Sequence, residues 1–333
     1  MSLPYSTFTP APLTDGGGMH FGDPAAEAEA AARETCVAPL AHLGLITASG
    51  ADAESFLQGQ FSNDVRTLAS GDAQLSSYNS AKGRMLAMLQ LWREDAGYAL
   101  EIEREILPAV LKRLRMYVLR AKVKLDEDAA RLGLGLSGPA APALLAEAGL
   151  PAPETAQELA RVEDASVLRQ PGTWPRYSIH AGTARAESLW STLASRARPV
   201  GTNAWRRLDI DAGLPTVLAA TQDHFVPQMA DLDRLGGISF TKGCYPGQEI
   251  VARLHYLGEA KRALFRLEGG GRPQPGEAVL DEAGAALGEL VIAARLPQGR
   301  SLALAVLQKS VGAEACVVGG GHWQARPAYS AAA

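Results

Sequence analysis

Cysteine is scarce in this chain of 333 residues: Cys36, Cys244 and Cys316 lie far apart, with no C-x-x-C spacing among them. An odd, scattered set of thiols excludes a disulfide framework and a closed thiolate metal site, and fits a reducing compartment. Long apolar runs are missing too. None approaches the roughly 18–20 residues that span a bilayer, and residues 1–19 have neither a basic n-region nor an apolar h-region. The expected location is cytoplasmic, with no membrane partner. Nor does one sign of charge dominate: 32 Lys+Arg against 36 Asp+Glu leave a net charge of -4, so no global basic field draws the chain to nucleic acid. The chain has no G-x-x-x-x-G-K phosphate loop, H-E-x-x-H pair, G-x-S-x-G elbow or G-x-G-x-x-G turn, which removes the support for P-loop NTPase, metalloprotease and serine hydrolase readings. Six histidines without ligand-like pairing predict no metal site.

What is present is the composition of a folded chain, 47% hydrophobic and 20% charged, long enough for two or three domains. Residues 1–33, rich in Pro, Gly and Ala and containing Gly16-Gly17-Gly18, read as a flexible arm with a helical turn in its Ala/Glu stretch. A strand-like run at 43–46 leads into a turn at 49–52, where Asp52 is the candidate N-cap of a helix carrying Phe56, Leu57 and Phe61. Strands at 75–79 and 84–92 predict a hairpin turned at Gly83, followed by alternation at Tyr98, Leu100 and Ile102 and a helical period over 107–118. Leucines 132, 134 and 136 mark another strand, and the Pro/Ala-rich stretch 138–153 a boundary. From residue 263 five short apolar pieces punctuated by glycine predict a small β-barrel. The fold class is therefore α+β, organised as the arm 1–33, a first α+β unit 34–137, a second 138–257 and a barrel 258–330.

Three segments carry chemistry. In Thr241-Lys242-Gly243-Cys244-Tyr245-Pro246-Gly247-Gln248-Glu249-Ile250-Val251-Ala252-Arg253, two glycines and a proline shape a loop ahead of a helix. A thiol there gains from helix N–H groups and from Lys242, a route to a reactive Cys244; the same residues also read as a buried, inert cysteine in a turn. Trp205 with Asp209 and Asp211 joins an aromatic plane to carboxylates able to accept hydrogen bonds from an amino-pyrimidine edge. Positions 112–124 hold Lys112, Arg113, Arg115, Arg120, Lys122 and Lys124 with no acidic residue, either a solvated helix face and lysine-guarded edge strand or a surface for RNA phosphates such as those of tRNA, a polyanionic ligand tail or an acidic partner.

The run K-G-C-Y-P-G-Q-E-I-V-A-R at 242–253 resembles the K-G-C-Y-x-G-Q-E signature of the YgfZ family of folate-binding proteins, relatives of the glycine-cleavage T-protein, an aminomethyltransferase. Gly50-Ala51-Asp52, Gln58-Gly59-Gln60, Asn63-Asp64-Val65, Ala81-Lys82-Gly83, Ile210-Asp211-Ala212-Gly213-Leu214-Pro215 and Phe225-Val226-Pro227-Gln228 agree with it, so the resemblance covers about 38 to 310. It implies a T-protein-like arrangement of two α+β units around a central folate channel with the barrel at the C-terminal end. It also implies tetrahydrofolate or a derivative as cofactor, held by Trp205, Asp211, Gln228, Tyr245, Gln248, Glu249 and Arg253. Cys244 is then the functional thiol beside Lys242, at the channel edge and in transient contact with an iron–sulfur cluster. The implied activity is iron–sulfur cluster synthesis or repair, and thereby tRNA methylthiolation by radical iron–sulfur enzymes, which are the client partners. Asp211 stands where relatives carry glutamate, one methylene longer, and Leu43 where some carry a second tryptophan. The T-protein relatives have an aspartate pair just after the hairpin glycine, whereas 83–89 here holds no carboxylate. That loss disfavours the alternative of a tetrahydrofolate-dependent aminomethyltransferase or small-amine demethylase.

Overall fold

A computed structural model of the chain describes residues 5–10, 12–15, 18–311 and 315–329. Its helices are α1 (Pro24–Ala31), α2 (Ala53–Gln58), α3 (Leu107–Met116), α4 (Ala141–Glu147), α5 (Thr183–Ala194), α6 (Thr202–Asp211) and α7 (Gln248–Tyr256). They pack on two large open sheets, a two-stranded ladder of Leu13–Asp15 with Gly18–His20, and a closed barrel, an α+β architecture. None of these helices is long and apolar enough to cross a membrane.

The first sheet has the order Ala73–Asn79, Met85–Glu94, Gly97–Glu103, Leu43–Ser49, Lys124–Glu127 and is antiparallel throughout. The hairpin turns where expected, at Gly83 with φ 71°, a conformation that side chains with a Cβ rarely adopt. Helix α2 is shorter than its apolar residues predict: it ends at Gln58, and Phe61 lies beyond it, still buried, bridging to Tyr78. Asp52 does not cap α2 with its side chain; its Oδ2 accepts instead from the backbone N–H of Lys122 at 2.6 Å.

The second sheet has the order Leu159–Val162, Ala165–Gln170, Arg176–Gly182, Arg131–Ser137, Cys36–Pro39, Arg198–Pro199, with only the last pair parallel. Two of its strands therefore come from the segment assigned to the first unit. The chain enters this sheet at Cys36, leaves to build the whole first sheet, and returns at Arg131. A division at 137/138 does not follow the sheets, because hydrophobic alternation marks a strand and says nothing about which neighbour it joins.

The N-terminal stretch is packed rather than free. Tyr5 and Phe8 are buried, Phe8 and Phe21 stack on Trp190 of α5 at 4.7 and 5.6 Å, and Asp23 caps α1 through the N–H groups of Ala25 and Ala26. Buried Glu27 accepts from the N–H of Phe21 and of Gly201, which ties α1 to the start of α6. These anchors are too sparse to make a period, and so composition alone reads as an arm. Gly16 and Gly17 lie outside the described residues.

The barrel has six strands, in the order Arg262–Gly270, Arg300–Gln308, Ala286–Arg295, Ala278–Leu280, Ala315–Val318, Gly321–Pro327, closed by pairing of the last with the first. The sixth strand is absent from the apolar pattern because only Trp323 and Ala325 point inward, between exposed polar positions.

Candidate functional site

Between the two large open sheets, under α6, lies a cavity of about 60 Å³. Gln90, Glu101 and Glu103 line it from the first sheet, and Gln170, Arg176 and Ser178 from the second. Buried Gln90 and Gln170 exchange amide hydrogen bonds across the gap, and Gln170 Nε2 also donates to Ser178 Oγ at 3.0 Å. Reciprocal amides satisfy one another without a net charge, which makes this an inexpensive way to join two sheets in a dry place.

Helix α6 supplies Trp205, Arg206 and Asp209. Trp205 and Asp209 are four residues apart and so share a face; Asp211, six from Trp205, does not. Asp211 turns away to a separate cleft, where it accepts from Arg207 Nε at 2.6 Å and Arg266 Nη2 at 2.9 Å. The carboxylate beside the tryptophan is thus Asp209, and sequence reasoning that recognised the helix would have found it by the i,i+4 spacing. Asp209 pairs with Arg176, whose guanidinium lies 4.2 Å from the centroid of the Trp205 ring. Arg176, distant in sequence, gave no local signal at all.

Glu103 and Asp209 are paired with arginine, and Glu101 keeps Oε2 buried without a hydrogen bond. Glu103 pairs with Arg206 and also accepts from Thr216 Oγ1, and Glu101 Oε2 lies 2.8 Å from His180 Nε2, off the line of a good hydrogen bond. The Glu103–Arg206 pair stands between this cavity and a larger cleft of about 1000 Å³, lined also by Arg104, Arg272, Arg295 and His42. Burial, reinforced by Arg206, Arg176 and Arg104, holds the His42 imidazole well below its ordinary pKa, hence neutral.

None of residues 242–253 lines this cavity. Lys242 is buried and donates to three carbonyls, of Gln58, Phe61 and Asn63, at 2.7, 2.6 and 2.9 Å. Burial pushes its pKa down to about 8, which leaves the ammonium charged at neutral pH with all three protons committed. Tyr245 is buried beneath it, 5.1 Å from Nζ to the ring centroid. Gln228 Nε2 donates to the Val251 carbonyl at 2.6 Å and so holds α7 from below. Gly247, at φ 77°, ends the loop; a Cβ there would lie 2.5 Å from Gly83 Cα, so hairpin tip and helix start touch backbone to backbone. Gln248 is half-buried, while Cys244, Glu249 and Arg253 are exposed. The reading of Cys244 as buried is therefore overturned. Lys242 turns its ammonium to the carbonyls of Gln58, Phe61 and Asn63, and α7 begins at Gln248, four residues after Cys244.

Among the described residues no three His, Cys, Asp or Glu side chains converge to hold a metal ion. Cys36 and Cys316 are buried, and burial pushes their thiols up to about 12 and about 11. In the run 112–124, Arg115 and Lys124 pair with Asp126, while Lys112, Arg120 and Lys122 are exposed.

The family model of the GCVT N-terminal domain matches residues 19–239 of the chain. Among solved structures, the chain is similar to glycine cleavage system aminomethyltransferase T from Bartonella henselae, with a TM-score of 0.77 and 20% identity over 93% of each chain, a likeness of fold. Heterotetrameric sarcosine oxidase from Corynebacterium sp. U-96 matches more loosely, with a TM-score of 0.37 and 18% identity over 51% of this chain and 91% of that one.

Proposed function

Because the chain belongs to the family of the GCVT N-terminal domain, we propose that it binds tetrahydrofolate or a derivative in the cavity beside Trp205. Its role, on the K-G-C-Y-P-G-Q-E resemblance to YgfZ proteins, is in iron–sulfur cluster synthesis or repair, and through it in tRNA methylthiolation by radical iron–sulfur enzymes. The observation that carries the folate reading is the lining of that cavity: an indole, a carboxylate–guanidinium pair and two amides offer donors and acceptors around an apolar space. Trp205, Asp209 and Arg176 would hold the pterin, and Arg104, Arg272 and Arg295 in the adjoining cleft suit the carboxylate tail. Folate, when bound, supplies a one-carbon unit on its reduced ring; the chain's own residues bind, orient and exclude water.

Aminomethyl transfer has less support: the hairpin stretch 83–89 lacks a carboxylate, and of the three carboxylates lining the cavity Glu103 and Asp209 are paired with arginine while Glu101 lies beside His180. Cys244 is outside the cavity, so handing a one-carbon unit from bound folate to this thiol loses its geometric basis. An exposed thiol on a pinned loop instead faces a client, by transient iron ligation or a mixed disulfide.

Calorimetric titration with tetrahydrofolate and its 5-formyl form tests the folate reading. Micromolar binding, weakened about tenfold or more in Trp205→Ala, is expected from loss of an aromatic wall; no binding to either form would end the proposal. Cys244→Ser should leave the melting curve unchanged and impair maturation of radical iron–sulfur enzymes in cells. Full maturation in that variant would remove the thiol from the mechanism.

A further inference from the structure

Arg176 is 1% exposed and lines the Trp205 cavity from the start of Arg176–Gly182, an interior strand of the second sheet. Its Nη2 donates to Asp209 Oδ1, yet its Nε and Nη1 are buried with no acceptor. A guanidinium stays charged at every pH a protein meets, and buried donors left without acceptors are costly, so such a group is retained where something else completes it. The guanidinium also covers one face of Trp205, and a ring cannot stack directly on that face without displacing it.

We infer that Arg176 is the specificity-determining residue of the cavity, completing its hydrogen bonds on an oxo group of the ligand. With Asp209 beside it, the pair presents a donor next to an acceptor, the complement of a ring carbonyl adjoining a ring N–H. A 4-oxopterin carries that edge. Its 4-amino counterpart places a donor against the guanidinium donors and is rejected. This inference rests on the folate reading and adds to it the residue that reads the ring and the analogue it excludes.

The test is titration of the full chain with tetrahydrofolate and with tetrahydroaminopterin, which differ in this one group. The wild type should prefer the oxo form about 100-fold, since a site built to hydrogen-bond a substrate group discriminates strongly against its replacement. Arg176→Lys keeps a charge toward Asp209, and the double variant Arg176→Met with Asp209→Asn removes both partners together; circular dichroism establishes that each is folded. Both should bind the two ligands within about threefold of each other. Equal affinities in the wild type would overturn the inference while leaving the folate reading standing, and this arm needs no variant. Undiminished preference in either folded variant would overturn the assignment to Arg176. Binding of neither ligand would overturn the folate reading and this inference with it.

Discussion

His42 shows at the scale of one residue how burial and charge set a pH response. Its imidazole lies among Arg206, Arg176 and Arg104, and burial together with those charges keeps it neutral well below pH 6.5. The unfolded chain takes up a proton as pH falls through 6.5, and the folded chain refuses it. Stability therefore falls with pH below 6.5, at up to about 1.4 kcal/mol per pH unit from this group. His42→Gln should flatten the drop in melting temperature between pH 6.5 and 5 relative to wild type. Parallel pH profiles would show that the folded chain accepts the proton after all. At the same scale, Trp205 was legible in the sequence as an aromatic next to carboxylates, and the choice of Asp209 over Asp211 follows from helical phase once residues 202–211 are recognised as a helix.

The K-G-C-Y loop shows what an element needs in order to present one side chain. Gly243, Pro246 and Gly247 mark a turn, but what holds the turn is Lys242 reaching the carbonyls of 58, 61 and 63, more than 170 positions earlier in the chain. Lys242→Met would leave three carbonyls without their donor and should cost about 2–4 kcal/mol in urea unfolding. Amide exchange should rise at 58–64 and at the start of α7 while the barrel strands stay protected. A global loss of protection, barrel included, would mean the lysine supports the whole fold rather than this loop. The lysine's spacing from the cysteine invited an electrostatic reading; only the fold shows it committed elsewhere.

For the whole molecule, the N-terminal stretch joins two apolar cores, one of the second sheet and α5 and one of the first sheet and α6. Phe8 and Phe21 cover Trp190, and Glu27 joins α1 to α6, the helix that carries Trp205 and Asp209. Removing residues 1–33 should therefore lower the melting temperature by several degrees, shift tryptophan emission to the red, and weaken ligand binding by loosening α6. A truncated chain with unchanged melting and emission would return the stretch to the role of a free arm.

The sequence by itself determined most of the elements, the α+β class and the barrel, because hydrophobic period and glycine punctuation are local properties of a chain. Through the K-G-C-Y-P-G-Q-E run it also determined where to look for relatives. Tertiary structure alone decided that the first sheet is inserted within the second, that Trp205 meets Arg176 and Asp209 in one cavity, and that Cys244 stands outside it. Those are pairings between residues far apart in the chain, where the free energy depends on which surfaces meet, and no local pattern records the partner.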